Sequence, residues 1–193
     1  MDSIAARIRT TKRMIYYYFG SKEGLYLAVL EQVYSDIRSV EQELDLASLT
    51  PADAVRRMIE FTFDYEESHP DFIRLVSIEN IHHGRHIAQS RKVRAQNSAV
   101  IETLATILKR GQREDVFRSD IDAVDLHLMI SAFCFFRVSN RHTFGILFRR
   151  DLTAPEQRRK HKRLICDAIL GMLERNGARP ASARSRAGAA RKR

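Results

Sequence analysis

Apolar residues recur along most of the chain at spacings of three and four, and short polar or proline-bearing breaks separate the runs. That is the pattern of successive amphipathic helices. From Ser21 onward Leu25, Ala28, Val29, Val33, Ile37, Val40 and Leu44 mark one face of a long helix, with Ser21 as its N-cap. Thr50-Pro51-Ala52-Asp53 is the next start signal, combining a cap, Pro at the first helical position and an acid in the first turn. Val55, Met58, Ile59, Thr62 and Phe63 then face inward, until His69-Pro70 interrupts the helix. Asp71 opens a shorter helix through Phe72, Leu75, Val76 and Ile78, ended by Gly84.

A further helix follows with Val93, Val100, Leu104, Ile107 and Leu108 inward, predicted to close near Gly111, and residues 112–121 read as a loop. Asp122 starts a helix whose centre, Leu128 to Phe136, is apolar on almost every side and should be covered all round. That run is about half of the ~18 residues a membrane span requires. Thr153-Ala154-Pro155-Glu156 has the form of a capping box. It launches a last helix with Leu164, Ile165, Ala168, Ile169, Met172 and Leu173 inward, ending at Asn176-Gly177. The fold class expected is all-α.

Composition adds a location to the charge. The net charge is +9, yet residues 178–193 carry +6 and residues 1–22 carry +4, so residues 23–177 stand at −1. Basic ends on a neutral body point to a polyanion partner, most simply DNA. Cys134 and Cys166 are far apart and match no metal-ligand spacing, which suits the reducing cytoplasm. With no signal peptide pattern at its start, a soluble cytoplasmic protein with no membrane partner is expected.

The stretch from Asp2 to Leu25, DSIAARIRTTKRMIYYYFGSKEGL, carries the candidate chemistry. Ile4, Ala5 and Ile8 predict a short helix, Arg9-Thr10 a turn, and Thr11 to Phe19 a second short helix. Ala5 is small where two such helices would cross closely, as a helix-turn-helix requires. Thr11 can cap the second helix, whose first turn then holds Lys12, Arg13 and Met14, the part of such a helix that enters a major groove. Tyr16 and Tyr17 offer aromatic edges and hydroxyl donors. Four consecutive aromatics on one helix cannot all face inward, so Tyr16 to Phe19 should divide between core and DNA. Lys22 places a cation beside free backbone N–H groups, a phosphate site.

IAARIRTTKRMIYYYFGSKEGLYLAVL resembles the signature of TetR family regulators, in which a Y-Y-F-x-S-K-E-x-L block joins the recognition helix to the first ligand-domain helix. The motif covers residues 2–30. The resemblance implies that Thr11, Lys12, Arg13, Met14 and Tyr16 face bases, that Tyr17 and Lys22 contact phosphates, and that Ile4, Ile15 and Phe19 form the small domain's core. It also implies a homodimer paired through the helices of about residues 122–139 and 154–176, a double-stranded DNA operator, and a small-molecule effector bound among residues 52–139. Binding of that effector would shift the helix starting at Ser21 and relieve repression. Arg9 stands where the family usually has Gly, so a non-Gly residue is expected near positive φ. The family's first helix has no counterpart ahead of residue 2, so residues 1–20 are expected to be weakly held.

Rival chemistry lies further along the chain. Glu79, His82, His83 and His86 fall at one-face helical spacing and could hold a metal, although Gly84 should break that helix and no H-E-x-x-H order is present. The commoner reading is a polar helix end near the ligand cavity, where Arg85 could pair with an anionic effector. Phe133, Phe135 and Phe136 suit a ligand pocket, a dimer interface or plain core. The cysteines suit core better than a redox sensor, and Arg158 to Arg163 suits a solvated face.

The domains expected are a helix-turn-helix at 1–20, a ligand-binding and dimerisation domain at 21–177 and a disordered basic tail at 178–193. No catalytic residue, metal or cofactor is assigned. The function expected is a ligand-responsive DNA-binding regulator, a repressor released from its operator by a small molecule. The alternative is a ligand-binding helical dimer with impaired DNA binding, and a metal-dependent enzyme built on Glu79 to His86 ranks third.

Overall fold

The computed structural model describes residues 1–175, and the basic tail at 178–193 lies outside them. Two short helices, α1 (Asp2–Arg7) and α2 (Lys12–Phe19), precede the long α3 (Lys22–Gln42). The body continues with α4 (Pro51–Ser68), α5 (Pro70–Ile81), a 3-10 turn at Ile87–Gln89 and α6 (Arg91–Arg113). It closes with α7 (Ala123–Ser139), α8 (Arg141–Phe148) and α9 (Pro155–Leu173). All described helices are α apart from the one 3-10 turn, so the all-α expectation holds.

Most starts are where capping chemistry placed them. Thr11, Ser21, Thr50 and Asp122 each accept a hydrogen bond from a backbone N–H of the first turn they precede. The last helix differs. Thr153 donates its hydroxyl to Asp151 at 2.6 Å, and Ala154 occupies the cap position with no side-chain bond. The capping box therefore does not form, and Pro155 at the first helical position makes the start instead.

Two further features complete the body. α6 closes near Gly111 as expected, its last residue being Arg113, and the bare Cα face of Gly111 receives the ring of Phe117. Phe117 thereby anchors the 112–121 loop, which is also tied to the end of α9 by a 2.9 Å bond from Arg118 N–H to the Leu173 carbonyl. The helix α8, unread in the sequence, projects Ile146, Leu147 and Phe148 into solvent.

One core joins α4, α6, α7 and α9 through Val55, Ile59, Phe63, Leu104, Leu126 and Ile169, among others. A second, around Ile37, Phe61, Phe72 and Val138, seats α3 and α5 on that body. Beside them runs an ionic seam. Arg137 of α7 is buried over the Phe63 ring and donates to Glu67 at 2.9 Å and to the Leu152 carbonyl at 2.6 Å. Arg158 pairs with Asp64 and Glu67, and Lys162 reaches Asp64 at 2.7 Å. The basic run of α9 is thus only partly a solvated face, because two of its cations clamp α4.

Candidate nucleic-acid interface and ligand cavity

The two N-terminal helices meet as a helix-turn-helix. Arg9 in the turn has φ 53°, the left-handed conformation expected of a Gly-substituting residue. Ala5 and Ile15 are buried at the crossing. Ile4 and Phe19, expected to share that core, are 40% and 38% exposed, because α1 rests mainly on α2 and α2 on α3, which leaves their outer sides open. Tyr16, Tyr17, Tyr18 and Phe19 are likewise all on the surface, so the expected division of that run between core and exterior does not occur; Ile15 takes the inward position alone.

The candidate DNA residues are all exposed. Thr11, Lys12, Arg13, Met14, Tyr16 and Tyr17 project from α2, and Lys22 stands at the first turn of α3. Arg13 and Tyr17 lie opposite Ile15 on the helix, and Tyr17 is 77% exposed. Lys12 bridges to Asp2 of α1 at 2.9 Å, which holds the Asp2 carboxyl below its usual range. The angle between α2 and α3 is set by Gly24, a residue that no sequence pattern singles out. A Cβ there would fall 2.0 Å from the Phe19 carbonyl oxygen, so the last turn of α2 rests directly on the backbone of α3.

The second half of α3 forms a wall of a cavity of about 330 Å3 between α3, α4, α5, α6 and α7. Its charged lining lay on positions the apolar pattern assigns to solvent. Arg38 and Glu41 form a buried ion pair one helical turn apart, and Glu66 of α4 and His127 of α7 also face the space. Burial pulls the His127 imidazole down to about 4, with Arg38 adding to the effect. Phe135 lines this cavity, whereas Phe133 and Phe136 of the same expected cluster lie on the exposed side of α7.

The Glu79–His86 group is a structural knot. The Glu79 carboxylate accepts from His86 N–H at 2.7 Å, Ile87 N–H at 3.0 Å and the His86 ring at 2.9 Å. Burial alone would raise that carboxyl; the Ile87 and His86 donors together hold it below its ordinary value. Among the described residues no three His, Cys, Asp or Glu side chains gather as a metal set. The knot instead packs the 82–90 segment against α3, with His86 edge-on to Tyr26 and Ser90 donating to Glu31 at 2.6 Å. Cys134 and Cys166 are both buried, and burial pushes both thiols up, the opposite of what a redox sensor needs. No described helix is long and apolar enough to cross a membrane.

Known proteins share this arrangement. Residues 1–29 match the family described as bacterial regulatory proteins, tetR family, and residues 51–169 match the tetracyclin repressor-like C-terminal domain. The chain is 35% identical over 175 residues to the HTH-type transcriptional repressor NicS of Pseudomonas putida, covering 91% of this chain and 82% of that protein. It is 30% identical over 138 residues to the HTH-type transcriptional repressor SCO4008 of Streptomyces coelicolor, covering 68% of this chain and 64% of that one. The crystal structure of the transcriptional regulator SCO4942 from Streptomyces coelicolor superposes with a TM-score of 0.63 at 22% identity, over 89% of this chain and 85% of that one. The ketosteroid transcriptional regulator KstR2 of Mycobacterium tuberculosis does so at 0.53 and 19%, over 89% and 83%; these two likenesses concern the fold. A helix-turn-helix resting on a helical body that encloses a cavity, matched at both ends of the chain, identifies the protein as a member of the TetR family of bacterial transcriptional regulators rather than an enzyme.

Proposed function

We propose that the protein is a ligand-responsive repressor, acting as a homodimer on a pseudo-palindromic DNA operator and released when a small molecule fills the cavity. The observation that carries this reading is the double duty of α3. Its first turn holds Lys22 and the Gly24 seat of α2, while Tyr34, Ile37, Arg38 and Glu41 of the same helix line the cavity. A ligand that binds better with α3 displaced would move α2 with it, and the differential contacts supply the coupling. The relatives named as repressors support the sign of the response. In this reading residues 1–20 are the DNA-binding unit and residues 21–177 the ligand-binding and dimerisation unit.

Within the DNA-binding unit, Thr11, Lys12, Arg13, Met14 and Tyr16 are assigned to bases, and Tyr17 and Lys22 to phosphates. Tyr17→Ala and Lys22→Ala should weaken binding to operator and random DNA alike, since phosphate contacts carry no sequence information. Arg13→Ala should lose roughly 1–3 kcal/mol on the operator and little on random DNA, if its guanidinium reads a base edge. Fluorescence anisotropy with both DNAs at several salt concentrations makes the comparison; equal losses for all three variants would remove the base-reading assignment. The second reading, a ligand-binding dimer with impaired DNA binding, draws on the slight burial of α1 and α2, which place only Ala5 and Ile15 inside. It requires that the operator be bound no better than random DNA.

A further inference from the structure

Within the cavity Glu66 stands out. Its side chain is 4% exposed, and its Oε2 has no hydrogen-bond partner. A buried carboxyl normally has one, because an unpaired polar group in the interior is costly. Arg38, whose charge acts on Glu66, gives one guanidinium nitrogen to Glu41, while its buried Nε has no partner either. Burial pushes the Glu66 carboxyl up to about 8 against the opposing pull of Arg38. Burial thus favours the neutral forms of Glu66 and His127, while Arg38 and Glu41 pair with each other. Asn80 and Asn97 give amide N–H groups to the Val76 and Val93 carbonyls, and Thr62 gives its hydroxyl to the Met58 carbonyl, which leaves their oxygens free. Tyr34, Phe72 and Phe135 add aromatic walls.

We propose that this cavity binds a small planar organic cation of the aryl amidinium kind, whose N–H groups donate to the Glu66 carboxylate. The proposal rests on reading the cavity as the effector site and names the chemical class that it selects. A cation that pairs with ionised Glu66 leaves the cavity as neutral as before, and the displaced proton passes to solvent. An anion would add an uncompensated charge to a buried space that already holds the Glu41 carboxylate. Ring faces on the walls attract cations as well.

Benzamidinium, benzamide and benzoate are planar probes of nearly the same size and of charge +1, 0 and −1, suited to titration calorimetry on the full-length protein. Benzamidinium should bind and benzoate should not. Near pH 7 benzamidinium binding should release up to one proton per site, read from the dependence of the heat on the ionisation enthalpy of the buffer. The other ionisable side chains lining the cavity are Tyr34, Arg38 and Glu41 from α3 and His127 from α7, and the buried Cys134 thiol of α7 also feels the Glu66 charge; α5 and α6 contribute Asn80 and Asn97, which do not ionise. Glu66→Gln keeps all of these, so it should weaken benzamidinium at least tenfold, abolish the proton release and leave benzamide unaffected. Glu66→Met should do the same if Gln perturbs the fold. Absence of benzamidinium binding, equal binding of benzoate, or unchanged affinity and proton release in both variants would overturn the proposal. A parallel DNA titration separates it from the reading beneath it. Benzamidinium bound through Glu66 with DNA affinity unchanged removes the effector role alone, whereas benzoate that releases DNA while benzamidinium does not bind removes the cation alone.

Discussion

Glu66 and His127 line one cavity and respond to pH in opposite directions. Glu66 has its carboxyl raised to about 8, so its contribution to stability is fully present below the ordinary carboxyl range and is lost as pH rises toward 8. His127 has its imidazole lowered to about 4, so its contribution is present above about 6.5 and is lost as pH falls toward 4. Glu66→Gln should therefore gain on the wild type as pH increases from 5 to 8. The gain should reach up to a few kcal/mol, since each tenfold change in a protonation equilibrium is worth roughly 1.4 kcal/mol. Thermal unfolding at fixed protein concentration across that range measures the difference, and a constant offset at every pH would contradict an un-ionised Glu66. None of this was legible in the sequence. On a helix, charged positions read as solvent face, and Arg38, Glu41 and Glu66 become interior only because α3, α4 and α7 converge on them. Thr11, Ser21 and Asp122, by contrast, were legible as caps because each bonds within its own first turn.

At the scale of elements, glycine placement decides two contacts. Gly111 of α6 would meet Phe117 at 2.1 Å if it carried a Cβ. Ala is favoured over Gly in a helix interior by ~1 kcal/mol, whereas overpacking costs about 1–3 kcal/mol. The clash should win, so Gly111→Ala should lower stability in urea denaturation, while a gain would mean that the 112–121 loop yields freely. Gly24 has backbone rather than a ring beneath it, so nothing nearby can rotate away. In the ionic seam, Glu67→Ala would leave Arg137 buried without its carboxylate, a loss of roughly 3–5 kcal/mol, which the same denaturation curves would register as a lower midpoint. The sequence marked Gly111 only as a stop signal, because what packs on a helical glycine comes from elsewhere in the chain. It left α8 unread because Arg141 to Phe148 has no side-chain cap and its apolar residues lie on no buried face.

For the whole molecule, the exposed side of α7 has the character of an interface within the proposed dimer. Met129, Phe133 and Phe136 are open to solvent there, Phe133 by 45% and Phe136 by 54%, and Leu164 of α9 is half exposed too. Ala168 and Gly171 continue the Leu164 face and would let a second helix come close. Ile169 and Leu173, which share the apolar pattern of α9, are fully buried within their own protomer, so substituting them tests folding and not pairing. Phe133→Arg is the better probe. Two-fold symmetry places the new charge twice in the interface, and the subunit dissociation constant should rise at least a hundredfold while the helical content stays unchanged. Sedimentation velocity at micromolar protein reads the outcome, and a dimer as tight as the wild type would locate the interface elsewhere.

What the sequence determined by itself was what short-range physics controls. The helical period, most of the caps, the positive φ at Arg9 and the basic, aromatic surface of Thr11 to Lys22 all depend on residues within a few positions of one another. Their arrangement as a helix-turn-helix followed, and with it the family. Tertiary structure decided which side of each helix faces what. It buried Arg38, Glu41 and Glu66, drew Arg158 and Lys162 onto α4, left Ile4 and Phe19 uncovered and closed Glu79 onto His86. These outcomes depend on partners far along the chain, and an apolar period reports that a face is to be buried without saying against what.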